Sequence, residues 1–398
     1  MYSVNPTRFA ALKVRHVIDS VRFAQDLIRA PSVTPDDGTA LDVLQTALTA
    51  LGFKCERFPF GDVDNLYARL GRESPVLAFA GHTDVVPTGN ESEWTHAPFS
   101  GELEDGILWG RGAADMKGAI AAFAGAVGAH IDQHGTPPGS IAFLITGDEE
   151  GPAINGTVKL MEALHARGER FDQVLVGEPT NPHKLGETIK IGRRGSLNGA
   201  ITVTGRQGHV AYPELADNPI PALLKLLDRL LARELDEGAP HFQASNLEVT
   251  SMDVGNEPHN VIPGTARAKF NIRFNTAHKG DDLKRWIEDE ATAIDIDFGG
   301  HIDLDLTVTG EAFLSRPGPF VSLLQDAAEA ETGRRPALTT GGGTSDARFI
   351  RNYADVCEFG LVGATMHQID ERVPVEDVEA LTRIYARVIK DYFSASKG

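Results

Sequence analysis

Apolar side chains recur at intervals of three and four near the start of the chain. Val21, Ala24, Leu27 and Ile28 follow Asp19-Ser20, a pair able to cap a helix, and Ala30-Pro31 closes the run. Leu41, Leu44, Leu48 and Leu51 mark a second helix that Gly52 stops. Short apolar runs then alternate with helical stretches. Strands are predicted at 65–70, 76–81, 140–146 and 173–177, and helices at 117–130 and 156–167. This alternation predicts an α/β fold with a mixed, largely parallel sheet flanked by helices.

Past Arg194 the order changes to strand 196–204, helix 219–235, strands 247–254 and 265–275, helix 281–294 and strand 303–309. That β-α-β-β-α-β order is the split arrangement of an α+β ferredoxin-like domain, one sheet covered by two helices, for which about 110 residues suffice. A helix at 319–331, the glycine-rich turn 341–343, a strand at 355–361 and a helix at 374–394 restore the earlier pattern. The chain is therefore expected to form a discontinuous larger domain, 1–194 and 308–398, interrupted by an inserted domain at 195–307.

A length of 398 residues exceeds what one hydrophobic core usually serves, in keeping with two domains. The formal charge of −18, with no dense Lys/Arg cluster, argues against a nucleic-acid partner or a membrane surface, so an anionic ligand must meet a local basic pocket. Cys55 and Cys357 are too few for a disulfide framework and neither sits in a CxxC, which fits a reducing compartment. Met1 to Ser20 lacks a sustained apolar core and a cleavage pattern, and no apolar stretch has the ~18 residues of a membrane span. The expected location is the cytoplasm.

The candidate chemistry lies at strand ends. The run Gly81-His82-Thr83-Asp84-Val85-Val86-Pro87 follows the apolar segment Val76 to Ala80, and period-two geometry aims His82 and Asp84 to one side. Asp115 stands in a small-residue turn, Gly110-Arg111-Gly112-Ala113-Ala114-Asp115, just before a helix, a position that suits a bridging aspartate. Glu149-Glu150 ends the strand 141–146, Glu178 ends the next, and His367 belongs to the returning part of the larger domain. Adjacent glutamates can divide roles, one facing a metal and one facing the open position. Strand ends of an α/β sheet converge on one edge, and imidazole nitrogen with carboxylate oxygen is a zinc donor set, so one metal centre accounts for all these positions. Competing signatures are absent: Gly110-x-Gly112 lacks the third glycine, Gly341-Gly342-Gly343-Thr344 lacks the P-loop lysine, and neither HExxH nor GxSxG occurs.

In this order, GHTDVVP, GRGAADMKG, GDEEG and GEPT resemble the metal-dependent aminoacylase and carboxypeptidase superfamily over nearly the whole chain. Four further segments, Gly192 to Ser196, Gln207 to Pro213, Asn260 to Pro263 and Gly342 to Asp346, resemble its succinyl-diaminopimelate desuccinylase family. The resemblance implies a di-zinc centre, cobalt being a possible substitute. Asp115 would bridge, His82 and Glu178 would complete one ion, and Glu150 and His367 the other. Glu149 would be the general base, and the Asp84 carboxylate would fix the tautomer of His82. It also implies a homodimer formed through the inserted lid domain, with His209 reaching the partner's site to stabilise an oxyanion. The implied reaction is cleavage of N-succinyl-LL-2,6-diaminopimelate to succinate and LL-2,6-diaminopimelate in lysine and diaminopimelate biosynthesis. Such a polycarboxylate needs fixed positive charge, for which Lys190, Arg193 and Arg273 are the candidates, joined by Ser196, Gly343 and Thr344 and by Tyr212 and Asn260. The family asparagine expected near 363 is absent, Gly363 standing there, and Ala347 replaces a common glycine. The alternative is a related hydrolase of another N-acyl amino acid or a dipeptide. A relative that binds metal without turnover is disfavoured by the retention of Glu149 and every ligand position.

Overall fold

The computed structural model describes residues 17–36 and 38–395. The expected absence of a leader in Met1 to Ser20 falls mostly outside them. Among the described residues no helix is long and apolar enough to cross a membrane.

The strand Val76–His82 lies near the middle of an eight-stranded sheet and is buried along its whole length. Its alternation supplies two layers at once: Leu77 and Phe79 join one core, and Val76, Ala78 and Ala80 join the other. On the first face, Phe79 stacks on Phe123 of the helix Gly118–His134 with ring centroids 4.5 Å apart, a pairing worth about 1 kcal/mol beyond the area it buries. The C-terminal helix Val375–Ala395 packs against that helix on the same side. Leu160, Met161 and Leu164 of the helix Thr157–Ala166 cover the opposite face. Across the sheet the order is Lys54–Arg57, Asn65–Leu70, Ser140–Thr146, Val76–His82, Gln173–Val176, Asp355–Glu358, Thr188–Lys190, Ala337–Thr339. The central pairs are parallel, and antiparallel pairing is confined to the first two junctions and to the contact of Glu358 with Lys190. The sheet is thus mixed and largely parallel, as the alternation predicts.

The inserted domain is a four-stranded antiparallel sheet in the order Asn246–Asp253, Thr265–Phe274, Gly195–Thr204, His301–Gly310. Here the helices Pro219–Ala232 and Gly280–Asp295 cover one face. Along Thr265–Phe274 the residues Ala266, Ala268, Phe270, Ile272 and Phe274 face that core while Arg267, Lys269 and Asn271 alternate with them. Its last strand reaches Gly310, three residues past the expected boundary at 307.

Several short pieces escaped the sequence reading because two or three residues carry no period. Strands Gly192–Arg193 and Phe313–Leu314 pair with each other and so clasp the chain where it enters and leaves the inserted domain. A three-stranded sheet of Glu102–Glu104, Ile107–Trp109 and Arg372–Pro374 ties the segment before Asp115 to the segment after His367.

Candidate metal centre

His82 ends its strand with its side chain almost fully buried. Close approach of the layer beneath requires glycine beside it: a Cβ at Gly81 would lie 2.5 Å from Met116 Cε. Nδ1 of His82 is 2.9 Å from the main-chain carbonyl of Asp84, which can only accept, so Nδ1 carries the proton and Nε2 is the nitrogen turned to the site. Nε2 lies 3.2 Å from Asp115 Oδ1 and 3.7 Å from Glu178 Oε1. This corrects the role expected of the Asp84 carboxylate. Its Oδ1 is 3.7 Å from Nδ1, and the carboxylate instead accepts from the main-chain N–H groups of Glu149, at 3.2 Å, and Glu150, at 2.9 Å. Two residues beyond a strand end, main chain reaches the imidazole before a side chain can. Asp84 therefore holds the acidic turn against the strand that carries His82.

On the outer side, His367 Nε2 lies 2.9 Å from Glu150 Oε1 and 3.3 Å from Asp115 Oδ2. Its backbone is left-handed, φ +61°, a conformation uncommon for a residue with a Cβ, and its side chain is 47% exposed. The two oxygens of Asp115 thus face different histidines. Three groups of potential ligand atoms converge: His82 with Asp115 and Glu178, Asp115 with Glu150 and His367, and His82 with Glu149 and Glu150.

Charge in this cluster is badly balanced by the side chains alone. Burial, reinforced by Asp115, pushes the Glu178 carboxyl up to about 8. Burial and Glu178 raise Glu149 well above the usual carboxylate range. Burial pulls His82 down, but Asp115, Asp84 and Glu149 outweigh it and hold the imidazole well above its ordinary value. Among the described residues, Oε1 of Glu178 is buried without a hydrogen-bond partner. Carboxylates so crowded and desolvated require protons or cations between them, and an orphaned buried oxygen beside an imidazole nitrogen fits a metal ion of the N/O-binding class.

The cluster opens into a cleft of about 310 Å³ lined also by Lys190, Arg193, Arg273, Gly343, Thr344 and Met366. The structure redistributes the positive charge expected there. Arg193 is buried and its Nε and Nη2 bind the carboxylate of Glu358, while Nη1 donates to the carbonyl of Gly343 at 2.9 Å. Ser345 Oγ donates to the same glutamate at 2.7 Å. A guanidinium taken out of water needs a counter-charge, so Arg193 shapes the 341–345 turn and is not an unspent cation. Lys190 Nζ donates to the carbonyl of Gly341 at 2.8 Å, and a Cβ at Gly342, where φ is +102°, would lie 2.5 Å from that Nζ. Arg273 is the open cation: among the described residues its guanidinium has neither hydrogen bond nor ion pair.

Ser196 is buried opposite Arg273 in the sheet, where its Oγ accepts from Asn271 Nδ2 at 3.1 Å, and it does not line the cleft. His209, Tyr212 and Asn260 gather on an exposed two-stranded ribbon of the inserted domain, with Val210 N bonded to the Asn260 carbonyl at 3.1 Å, and they too stand outside the cleft lining of their own chain. At Gly363, where the asparagine is expected, a Cβ would lie 3.2 Å from both Met366 Sδ and the Pro179 carbonyl oxygen. Ala347 is buried at the start of a short helix, Ala347–Ile350. The sequence reading missed Glu358, although it too ends an apolar strand, and Glu371, which follows His367 by four residues.

Comparison with known proteins places this geometry. Residues 78–391 match the model of peptidase family M20/M25/M40. A succinyl-diaminopimelate desuccinylase of Maricaulis maris (strain MCS10) is 69% identical over 370 residues, covering 93% of this chain and 95% of the relative. Among solved structures, an aminopeptidase of Bacillus cereus superposes with a TM-score of 0.78 at 19% identity, over 94% of this chain and 97% of its own. A dinuclear metal-binding M20 peptidase of Bacillus subtilis superposes with a TM-score of 0.68 at 17% identity, over 94% and 98%. The chain belongs to peptidase family M20/M25/M40 and, within it, to the succinyl-diaminopimelate desuccinylases, metal-dependent hydrolases of an amide bond.

Proposed function

We propose that this protein hydrolyses N-succinyl-LL-2,6-diaminopimelate to succinate and LL-2,6-diaminopimelate, in lysine and diaminopimelate biosynthesis, with two zinc ions as its cofactor and cobalt as a possible substitute. The observation that carries the reading is 69% identity to a desuccinylase across nearly the full length of both chains. Supporting it, one ligand group is His82, Asp115 and Glu178, a second is Asp115, Glu150 and His367, and Asp115 is common to both. When bound, a pair of zinc ions supplies Lewis acidity towards water and the amide carbonyl.

Glu149 lines the cleft, and among the described residues its carboxylate has no hydrogen-bond donor. In this reading it takes a proton from the attacking water and returns it to the leaving amine nitrogen, a role favoured by the raised proton affinity that burial and Glu178 give it. Arg273 offers its unspent fork to a substrate carboxylate, with the Thr344 hydroxyl and the Gly343 main chain beside it. A cavity of about 690 Å³ shares Lys190 and Gly342 with the cleft and gives room for an elongated substrate. The exposed position of His209, together with exposed Leu224, Leu231 and Met252 on the inserted domain, supports a homodimer in which that domain carries His209 to the partner's site.

Metal analysis and succinate release, measured on one preparation beside N-acetyl and dipeptide substrates, test this reading. The expected result is two ions per chain and preferred release of succinate. Faster cleavage of an acetyl or dipeptide substrate would replace it by the related-hydrolase alternative.

A further inference from the structure

We propose that Glu371, through its ion pair with Arg111, is a positioning residue that orients the shared carboxylate of Asp115 and fastens the His367 loop to it, so that it governs retention of the second metal ion. The proposal rests on the dinuclear reading above. Glu371 is completely buried, and its Oε1 accepts from the main-chain N–H groups of Ala114, at 2.9 Å, and of Asp115, at 3.1 Å. Its Oε2 accepts from Arg111 Nη1 at 2.8 Å. The same Nη1 lies 3.1 Å from the carbonyl of Gln368, the residue after His367, and Nη2 lies 3.3 Å from the carbonyl of Pro87 in the segment that leaves His82. The guanidinium is 5.2 Å from the centroid of Trp94.

Three segments that bring ligands from far apart in sequence, 82–87, 111–115 and 367–371, therefore meet at one buried ion pair. Neither member lines the cleft, so neither has direct access to substrate. A buried ion pair is a poor means of stabilising a fold, since apolar replacements of equal volume often do as well, whereas fixing one backbone geometry is the use for which such a pair is suited. The two ions do not depend on it equally. His82 and Glu178 are held by buried strand ends whatever Glu371 does, but His367 is half-exposed on a left-handed loop, and the Arg111 bond to Gln368 ties that loop directly to the segment carrying Asp115.

The test is titration of the metal-free native, Glu371→Gln and Arg111→Lys proteins with zinc against a competing chelator. Absorption spectra with cobalt and unfolding of the metal-free proteins are recorded in parallel. Glu371→Gln is expected to weaken the second equivalent by about 10–100-fold, the usual cost of losing an outer partner of a ligand, and to change the first far less. The spectrum of the second cobalt should shift, and Arg111→Lys, which keeps the charge but replaces the fork by a single ammonium, should do the same to a smaller degree. Unchanged second affinity and spectrum in either folded variant overturns the proposal, as does a loss confined to the stability of the metal-free protein. A native protein that takes up only one ion overturns the dinuclear reading itself, which separates the two failures.

Discussion

The two walls of the metal cleft are built by different means. The inner wall, His82 with Asp115 and Glu178, stands on ends of strands and turns that are buried and packed from both faces of the sheet. The outer wall, Glu150 with His367, Thr344 and Arg273, stands on turns, on a left-handed loop and on the inserted domain. The residues of the first are buried, and those of the second are partly or largely exposed. The inner wall is therefore coupled to the stability of the fold, and the outer wall can be altered, or can move, at little cost to the core.

Glu149 sits between the walls and gives the largest expected effect. Glu149→Ala should lower turnover on the order of 10²–10⁴ while the protein keeps its full metal content, the outcome that the proposed proton-transfer role requires. Parallel loss of metal and activity would reassign it as a ligand. The walls themselves are compared by His82→Ala and His367→Ala, scored by metal content and by unfolding of the chelated proteins. The first should destabilise the metal-free protein by about 1–3 kcal/mol, as substitutions at buried polar sites do. The second should lose one ion and leave that stability nearly unchanged, and equal destabilisation by both would erase the distinction between the walls.

Arg273→Ala should reduce kcat/KM about 10–100-fold, chiefly through KM, since a hydrogen bond to a charged group contributes about 1.5–3 kcal/mol. Unchanged kinetics would remove Arg273 from the outer wall. The smallest effect concerns Lys190, whose ammonium is pulled down to about 8 by burial and by Arg193. Its charge is complete below that pH and is lost as pH rises through it, so KM for a carboxylate substrate should climb above about pH 8 in the native enzyme and not in Lys190→Met. In the same range the unfolded chain still holds the proton that the folded chain has released. Stability therefore gains with rising pH, and Lys190→Met should flatten that slope.

Much of the scaffold was legible from local periodicity. The apolar run from Val76 to Ala80 shows a buried strand, and the helix-strand order past Arg194 shows the inserted domain, because these patterns are set within a few residues. The strand-end rule likewise pointed to His82, Asp115, Glu150 and Glu178 as one cluster, since parallel strands must deliver their ends to a common edge. Short strands such as Gly192–Arg193 were not legible, for they are created by their partners.

What the sequence determined by itself is the placement of donor types at the ends of elements, and through that the chemistry available. What only tertiary structure decided is how each charge is spent. Arg193 meets a glutamate 165 positions away, Arg111 meets one 260 positions away, and the carbonyl of Asp84 takes the contact expected of its carboxylate. Whether a cation faces substrate or a buried counter-charge depends on which distant segment excludes water from it, and desolvation is a property of the packed molecule that no local pattern carries.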